Sequence, residues 1–130
     1  MKKKFISILL PNFDGGGAER AYLEIANEFK QKGYRVEFAL LQNNGELINE
    51  AKSGFKIFDL HCQRLRNLPK ILSNYIRNQK PDILIASMWP LTVIAPISRF
   101  LSRQKCKVLI CEQNYLSAQY KNKGIANWIL

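Results

Sequence analysis

The sequence predicts an α/β domain, a doubly wound parallel sheet with strand order 3-2-1-4-5. Short apolar runs alternate with segments of helical period along the whole chain. Strands of this kind are buried on both faces, which requires helices on both sides of a parallel sheet. The 130 residues are 47% hydrophobic, enough for one domain with a real core and too many for a disordered chain.

The elements follow in order. Phe5 to Leu10, "FISILL", is a continuous apolar run and reads as the first strand. Gly15, Gly16 and Gly17 follow it. Ala18 to Lys32 has helical period, with Ala18, Leu23, Ile25, Ala26 and Phe29 on its apolar side and Gly33 as terminator. Tyr34 to Leu41 is the second strand, Asn43 to Gly45 a turn, and Glu46 to Lys52 a short helix. Phe55 to Leu60 is the third strand. A helix opens near Asn67 and runs to about Gln79, with Leu68, Ile71, Leu72, Tyr75 and Ile76 on one side. Pro81 stops it, and Ile83 to Ala86 form the fourth strand. Pro90 starts a helix that continues to Leu101, Lys107 to Glu112 is the fifth strand, and Ala118 to Leu130 is helical again. The arrangement is Rossmann-like, with ligands expected outside the carboxyl ends of the strands. The last segment stops inside an apolar, uncapped stretch, so the domain is expected to be incomplete.

Composition excludes several classes. The longest uncharged stretch, Ile83 to Ser98, contains two prolines and is too short for a spanning helix. The apolar run behind Lys2, Lys3 and Lys4 is too short, and too soon broken by Pro11 and Asp14, for a secretory leader. Cys62, Cys106 and Cys111 have no paired spacing and read as reduced core thiols, which fits a cytoplasmic protein. With His61 the single histidine, no metal site is expected.

The stretch "PNFDGGGAER" sits at the junction of the first strand and the first helix. A plain turn would need one glycine. Three in a row favour close approach of a ligand to bare backbone, beside the positive end of a helix. The dinucleotide fingerprint fails because Arg20 occupies its third small position, and no acid ends the second strand. The triphosphate-loop pattern fails because no Lys-Ser or Lys-Thr follows.

"GGGAERAYLEIANEFKQKGYRVEFALL" resembles the opening of the family 4 retaining glycosyltransferases, and "KPDILIAS" and "VLICEQN" resemble their fourth and fifth strands. The resemblance spans essentially the whole chain. It implies the amino-terminal, acceptor-side half of a two-domain GT-B architecture, with the carboxyl-terminal, donor-binding domain absent from these residues. It further implies sugar transfer from a nucleotide-sugar to a glycan or lipid-linked acceptor, with retention of configuration and without a resident cofactor. Gly15, Gly16, Gly17, Glu19 and Arg20 would lie near the donor phosphates and sugar. Glu19 and Arg20 have an equally good structural reading, as a dipole partner and a salt-bridge partner. Gln113 stands at the family's histidine position and cannot take up a proton at neutral pH, so a histidine-specific role is in doubt there. Gln113 can still hydrogen-bond a sugar hydroxyl; it and Glu112 beside it are the catalytic candidates the resemblance implies, and Asn114 after them would lie on the acceptor side. Ser87 and Trp89 would face the acceptor, Trp89 by stacking, although a core role for the indole is as good. No Glu-x7-Glu pair, the family's donor-handling motif, occurs in the 130 residues, so this chain alone is expected to be inactive.

There are 20 Lys and Arg against 10 Asp and Glu, a net charge of +10. Arg64, Arg66 and Lys70 lead a basic, amphipathic segment that suits peripheral contact with an anionic membrane, the inner face of the cell membrane for a cytoplasmic enzyme. Its apolar stripe could instead pack on the sheet, the slightly favoured reading, since every helix of this fold must do so. Lys2, Lys3 and Lys4 make a second basic cluster. Two alternatives stay open. One is a non-catalytic acceptor- or membrane-binding subunit that serves a separate catalytic chain. The other, ranked last for want of any recognised motif, is a nucleic-acid-binding domain.

Overall fold

A computed structural model describes residues 3–14 and 17–111. The strands are β1 (Phe5–Leu10), β2 (Arg35–Leu40), β3 (Lys56–Asp59), β4 (Ile83–Ser87) and β5 (Lys107–Cys111). The helices are α1 (Gly17–Gln31), α2 (Ile48–Gly54), α3 (Leu68–Gln79) and α4 (Leu91–Ser102), with a 3-10 turn at Leu65–Asn67 before α3. All neighbouring strands are parallel, in the order β3-β2-β1-β4-β5. The predicted class and strand order are both observed. The tail helix expected from Ala118 lies outside the described residues.

The two sheet faces carry separate cores, and the strand period of two sorts residues between them. Ile6, Ile8, Leu10, Phe38 and Ile85 point to α1 and α2, where Tyr22, Leu23, Ala26 and Ala51 meet them. Leu9, Ala39, Leu84 and Ala86 point to α3 and α4, where Leu72, Tyr75, Ile76 and Ala95 meet them. Register is pinned at the entry of the sheet by Asp82. Its carboxylate accepts from the Phe5 amide at 2.8 Å, its own amide donates to the Phe5 carbonyl, and its carbonyl accepts from Lys107.

One polar chain crosses the α3 side of the core. The Tyr75 hydroxyl donates to Glu37 Oε1 at 3.3 Å and lies 2.7 Å from Ser7 Oγ. A phenol has one proton, so the serine donates to the tyrosine. Glu37 is buried, with Oε2 3.8 Å from Arg35 at the surface. Burial raises the Glu37 carboxyl above its ordinary pKa, against the opposing pull of Lys56, the Tyr75 hydrogen bond and Arg35.

α1 ends at Gly33, whose φ of +95° is the left-handed conformation glycine adopts freely. α3 and α4 end instead on Lys80 and Arg103, with φ of +52° and +60°.

Candidate functional site

Between β1 and β4 the chain order reverses, and the loops leaving their carboxyl ends diverge to opposite faces. A groove of about 270 Å³ opens there. Pro11 and Asn12 come to it from β1, Gln42 from β2, Gln63 and Leu65 from the segment after β3, and Trp89 from β4. A smaller hollow of about 190 Å³ shares Gln42 and Gln63 and adds Asn43, Asn44, Asp59 and His61. The loops are tied beyond the strand ends: Gln42 donates to the Pro11 carbonyl, Phe13 to Asn44, Leu47 to Phe13, and Cys62 to Leu41.

Phe13 anchors the loop that leads to the glycines. It is fully buried and meets the Phe38 ring edge-on at 4.9 Å. Asn12 Oδ1 accepts from the Asp14 amide at 3.1 Å, a side-chain turn just before the glycines. Gly45 closes the other side. Its φ is +122°, and a β-carbon there would collide with the Phe13 carbonyl. Sequence reasoning saw Gly45 only as part of a turn; its contact with Phe13 is long-range and leaves no local signal.

Gly15 and Gly16 lie outside the described residues, as do Glu112, Gln113 and Asn114. Gly17 opens α1, and a β-carbon there would meet nothing within 4 Å, so packing does not require a glycine at that position. Glu19 is half-buried in the first turn of α1, where its charge complements the helix dipole. Arg20 faces α2 and pairs with Glu50 at 3.4 Å on the surface, the structural partnership foreseen as its alternative. Ser87 is buried at the end of β4, and its hydroxyl has no hydrogen-bond partner among the described residues. Trp89 is 56% exposed on the groove lip, so the core reading of this side chain is excluded. Met88 before it has φ of +73°, a left-handed conformation costly for a non-glycine residue.

Two residues of the smaller hollow, Asp59 and His61, were missed as site candidates. The His61 amide donates to Asp59 Oδ1 at 2.8 Å, and His61 Nδ1 lies 3.5 Å from Asp59 Oδ2. The Asp-x-His spacing after a strand was the available signal. Apart from this pair the smaller hollow is lined by Leu41 and uncharged amides. Among the described residues no cluster of three His, Cys, Asp or Glu is placed to hold a metal ion.

Arg64, Arg66 and Lys70 are all exposed, but the apolar stripe beside them is not. Leu68, Leu72, Tyr75 and Ile76 are buried against the sheet, so α3 has no apolar face left for a membrane. Lys4 and Arg64 stand at opposite ends of the sheet. The Lys4 carbonyl accepts from Arg35 where β1 and β2 begin, whereas Arg64 follows the far end of β3.

No protein-family model and no curated protein matches the sequence. Solved structures do share the fold. A glycosyltransferase from Rickettsia africae ESF-5 superposes with a TM-score of 0.66 at 18% identity, over 92% of this chain and 34% of that one. MurG from Acinetobacter baumannii superposes with a TM-score of 0.62 at 16% identity, over 92% of this chain and 39% of that one. This chain therefore spans between a third and two fifths of the length of these structures. Its described residues form a Rossmann-like α/β domain of the kind those glycosyltransferase-like structures contain.

Proposed function

We propose that this domain is the acceptor-side half of a GT-B glycosyltransferase that moves a sugar from a nucleotide-sugar to a glycan or lipid-linked acceptor. The observation that carries the proposal is the groove at the switch point, where amides and one exposed indole converge beside the glycine-rich junction. Asn12, Gln42 and Gln63 each offer a donor and an acceptor, the pairing a sugar hydroxyl needs. The Trp89 ring offers an apolar face to the C–H surface of a pyranose. Such a lining binds and orients a neutral saccharide and suits a bare phosphate poorly.

In this reading the donor's charged end lies at the α1 amino terminus, with Gly15, Gly16 and Gly17 leaving room and Glu19 and Arg20 nearby. A second domain holds the nucleotide, and the acceptor hydroxyl is presented from the groove across the cleft. Glu112, Gln113 and Asn114, next in sequence after the fifth strand, are assigned to the same cleft on the strength of the sequence resemblance alone. The enzyme works in the cytoplasm, without a resident cofactor, at the membrane when its acceptor is lipid-linked.

The test is release of nucleoside diphosphate from a panel of nucleotide-sugars by the full-length protein. Gly16→Val should lower the rate at least about tenfold if backbone must approach the donor. An unaltered rate in that variant rejects the close-approach argument. No turnover of any donor, in a folded protein supplied with saccharide acceptors, rejects the enzymatic reading in favour of a binding subunit.

A further inference from the structure

Exposed apolar side chains gather on α4 and β5, with Phe100 the extreme at 76% exposure. The other half of the sheet carries a concentration of charge instead. At the amino ends of β1, β2 and β3 a hollow of about 470 Å³ opens. Four cations from four separate segments line it. Lys3 stands before β1, Lys30 in the last turn of α1, Arg35 at the start of β2 and Lys56 at the start of β3. None of the described residues that line it is acidic. Val36, Phe55 and Tyr34 supply its apolar wall.

Two of these cations are held in place. Lys30 Nζ donates to the Gly54 carbonyl at 2.8 Å and stands 5.2 Å from the centre of the Phe55 ring. The Arg35 guanidinium lies 4.2 Å from the centre of the Phe5 ring. Each keeps donors to spare, since an ammonium has three and a guanidinium five. Two carboxylates stand near. Glu37 is buried beneath Arg35, with Oε2 3.8 Å from the guanidinium, and Asp82 is committed to the Phe5 amide. The hollow therefore keeps an excess of positive charge. Like charges gathered in one concavity repel one another unless an anion lies among them.

We propose that this hollow binds a compact oligophosphate, two or three linked phosphates that are either free or carried by a nucleotide. The Arg35 fork suits two oxygens of one phosphate, and Lys3, Lys30 and Lys56 act as point charges on its neighbours. Because Lys30 and Arg35 are already ordered, little side-chain freedom is lost on binding. A single carboxylate would leave most of the cations unmatched. A nucleic-acid strand spreads its charges along a line, whereas these cations face one concavity. The groove opens at the carboxyl ends of the strands, and six residues of β1 or β2 span about 20 Å, so the two sites can be filled together. The site goes beyond the proposed sugar transfer and does not rest on it.

Isothermal titration calorimetry on the full-length protein tests it, with inorganic tripolyphosphate as the probe. Saturable binding is expected, with orthophosphate at least about tenfold weaker. Lys30→Gln/Lys56→Gln should weaken tripolyphosphate binding about tenfold or more. Arg103→Gln/Lys105→Gln removes the same charge at the end of α4 and should stay within about twofold of wild type. Both variants should keep the wild-type circular dichroism spectrum. Adenosine triphosphate that binds more tightly than tripolyphosphate, and loses that binding in the first variant, makes a nucleotide the source. Equal or weaker binding makes the source free oligophosphate, and either result upholds the site. No saturable tripolyphosphate binding, or wild-type affinity in the first variant, overturns the proposal. So does equal weakening by both variants, which would leave net charge as the cause. A single-stranded oligonucleotide that binds more tightly than tripolyphosphate, and is lost in the first variant, overturns it in favour of a nucleic-acid surface. These outcomes read the same whether or not the protein transfers sugar.

Discussion

The α-carbon of Gly45 rests against the backbone of Phe13, in a conformation and at a distance that leave no room for a β-carbon. This contact holds the β1–α1 loop to the β2–α2 loop and shapes one wall of the groove. Gly45→Ala must shift the Phe13 backbone and also occupy a φ that L-residues avoid. Equilibrium urea unfolding should show a loss of about 2 kcal/mol or more. Sugar transfer should fall further than the remaining folded fraction accounts for.

If the proposed sugar transfer holds, Trp89 separates binding from folding. Trp89→Ala should change stability by less than about 1 kcal/mol while raising the acceptor KM about tenfold. Leu72→Ala, in the buried α3 stripe, should do the reverse, costing about 2–5 kcal/mol with the acceptor KM of the folded protein unaltered. Denaturation curves and acceptor titrations on both variants measure the contrast.

Glu37 makes stability depend on pH. Its carboxyl titrates above the ordinary range because burial penalises the charged form. Above the unfolded pKa of about 4.3 the native state therefore holds more proton than the unfolded state, and stability falls as pH rises through the native pKa. Glu37→Gln keeps an acceptor for Tyr75 and removes the titration. The variant should gain on the wild type as pH rises from about 4 to 7, read as a widening gap between denaturation midpoints. A constant gap across that range would contradict the assignment.

The thiols should differ in reactivity. Burial pushes the Cys106 thiol up to about 11, with only partial relief from Arg99, and raises Cys62 as well. Both are buried, whereas Cys111 is half-buried. Thiol-modifying reagent at pH about 8 should modify Cys62 and Cys106 in the native protein far more slowly than after unfolding, since the thiolate is the reactive form. Mass spectrometry of the modified peptides gives the order.

Lys80 ends α3 in the left-handed conformation without the residue that suits it. Lys80→Gly should stabilise the protein by about 0.5–1 kcal/mol, visible as a raised Tm.

Local signals account for most of the fold. Continuous apolar runs and period-3.6 patterns placed every described strand and α-helix within a few residues, because burial on both sheet faces selects apolar strands and one-sided helices directly. The site was legible in outline. The strand-end rule located it, and Ser87 and Trp89 do stand at the end of β4. The basic segment at Arg64 was read with its apolar stripe left as either core or membrane surface, because one helix looks the same from sequence in both settings. Only the neighbouring sheet shows that Leu72 and Ile76 are already covered while Phe100 is not. Asp59 and His61 were not read as site residues, His61 being noted only as the single histidine, because their place in the groove comes from Gln42 and Asn44, brought beside them by the pairing of β2 and β3.

Taken by itself, the sequence determined the class of the domain, since apolar strands alternating with helices require a parallel sheet covered on both faces, and with it the strand order expected of a doubly wound sheet. Tertiary structure decided what those patterns leave degenerate: that Gly45 must be glycine because Phe13 backbone occupies its side-chain space, that Trp89 faces the groove, and that the uncovered apolar surface lies on α4. Exposed apolar side chains also stand on β5, at Leu109 and Ile110, among the described residues. All of this depends on which segments meet in space, and residues distant along the chain carry no local record of meeting.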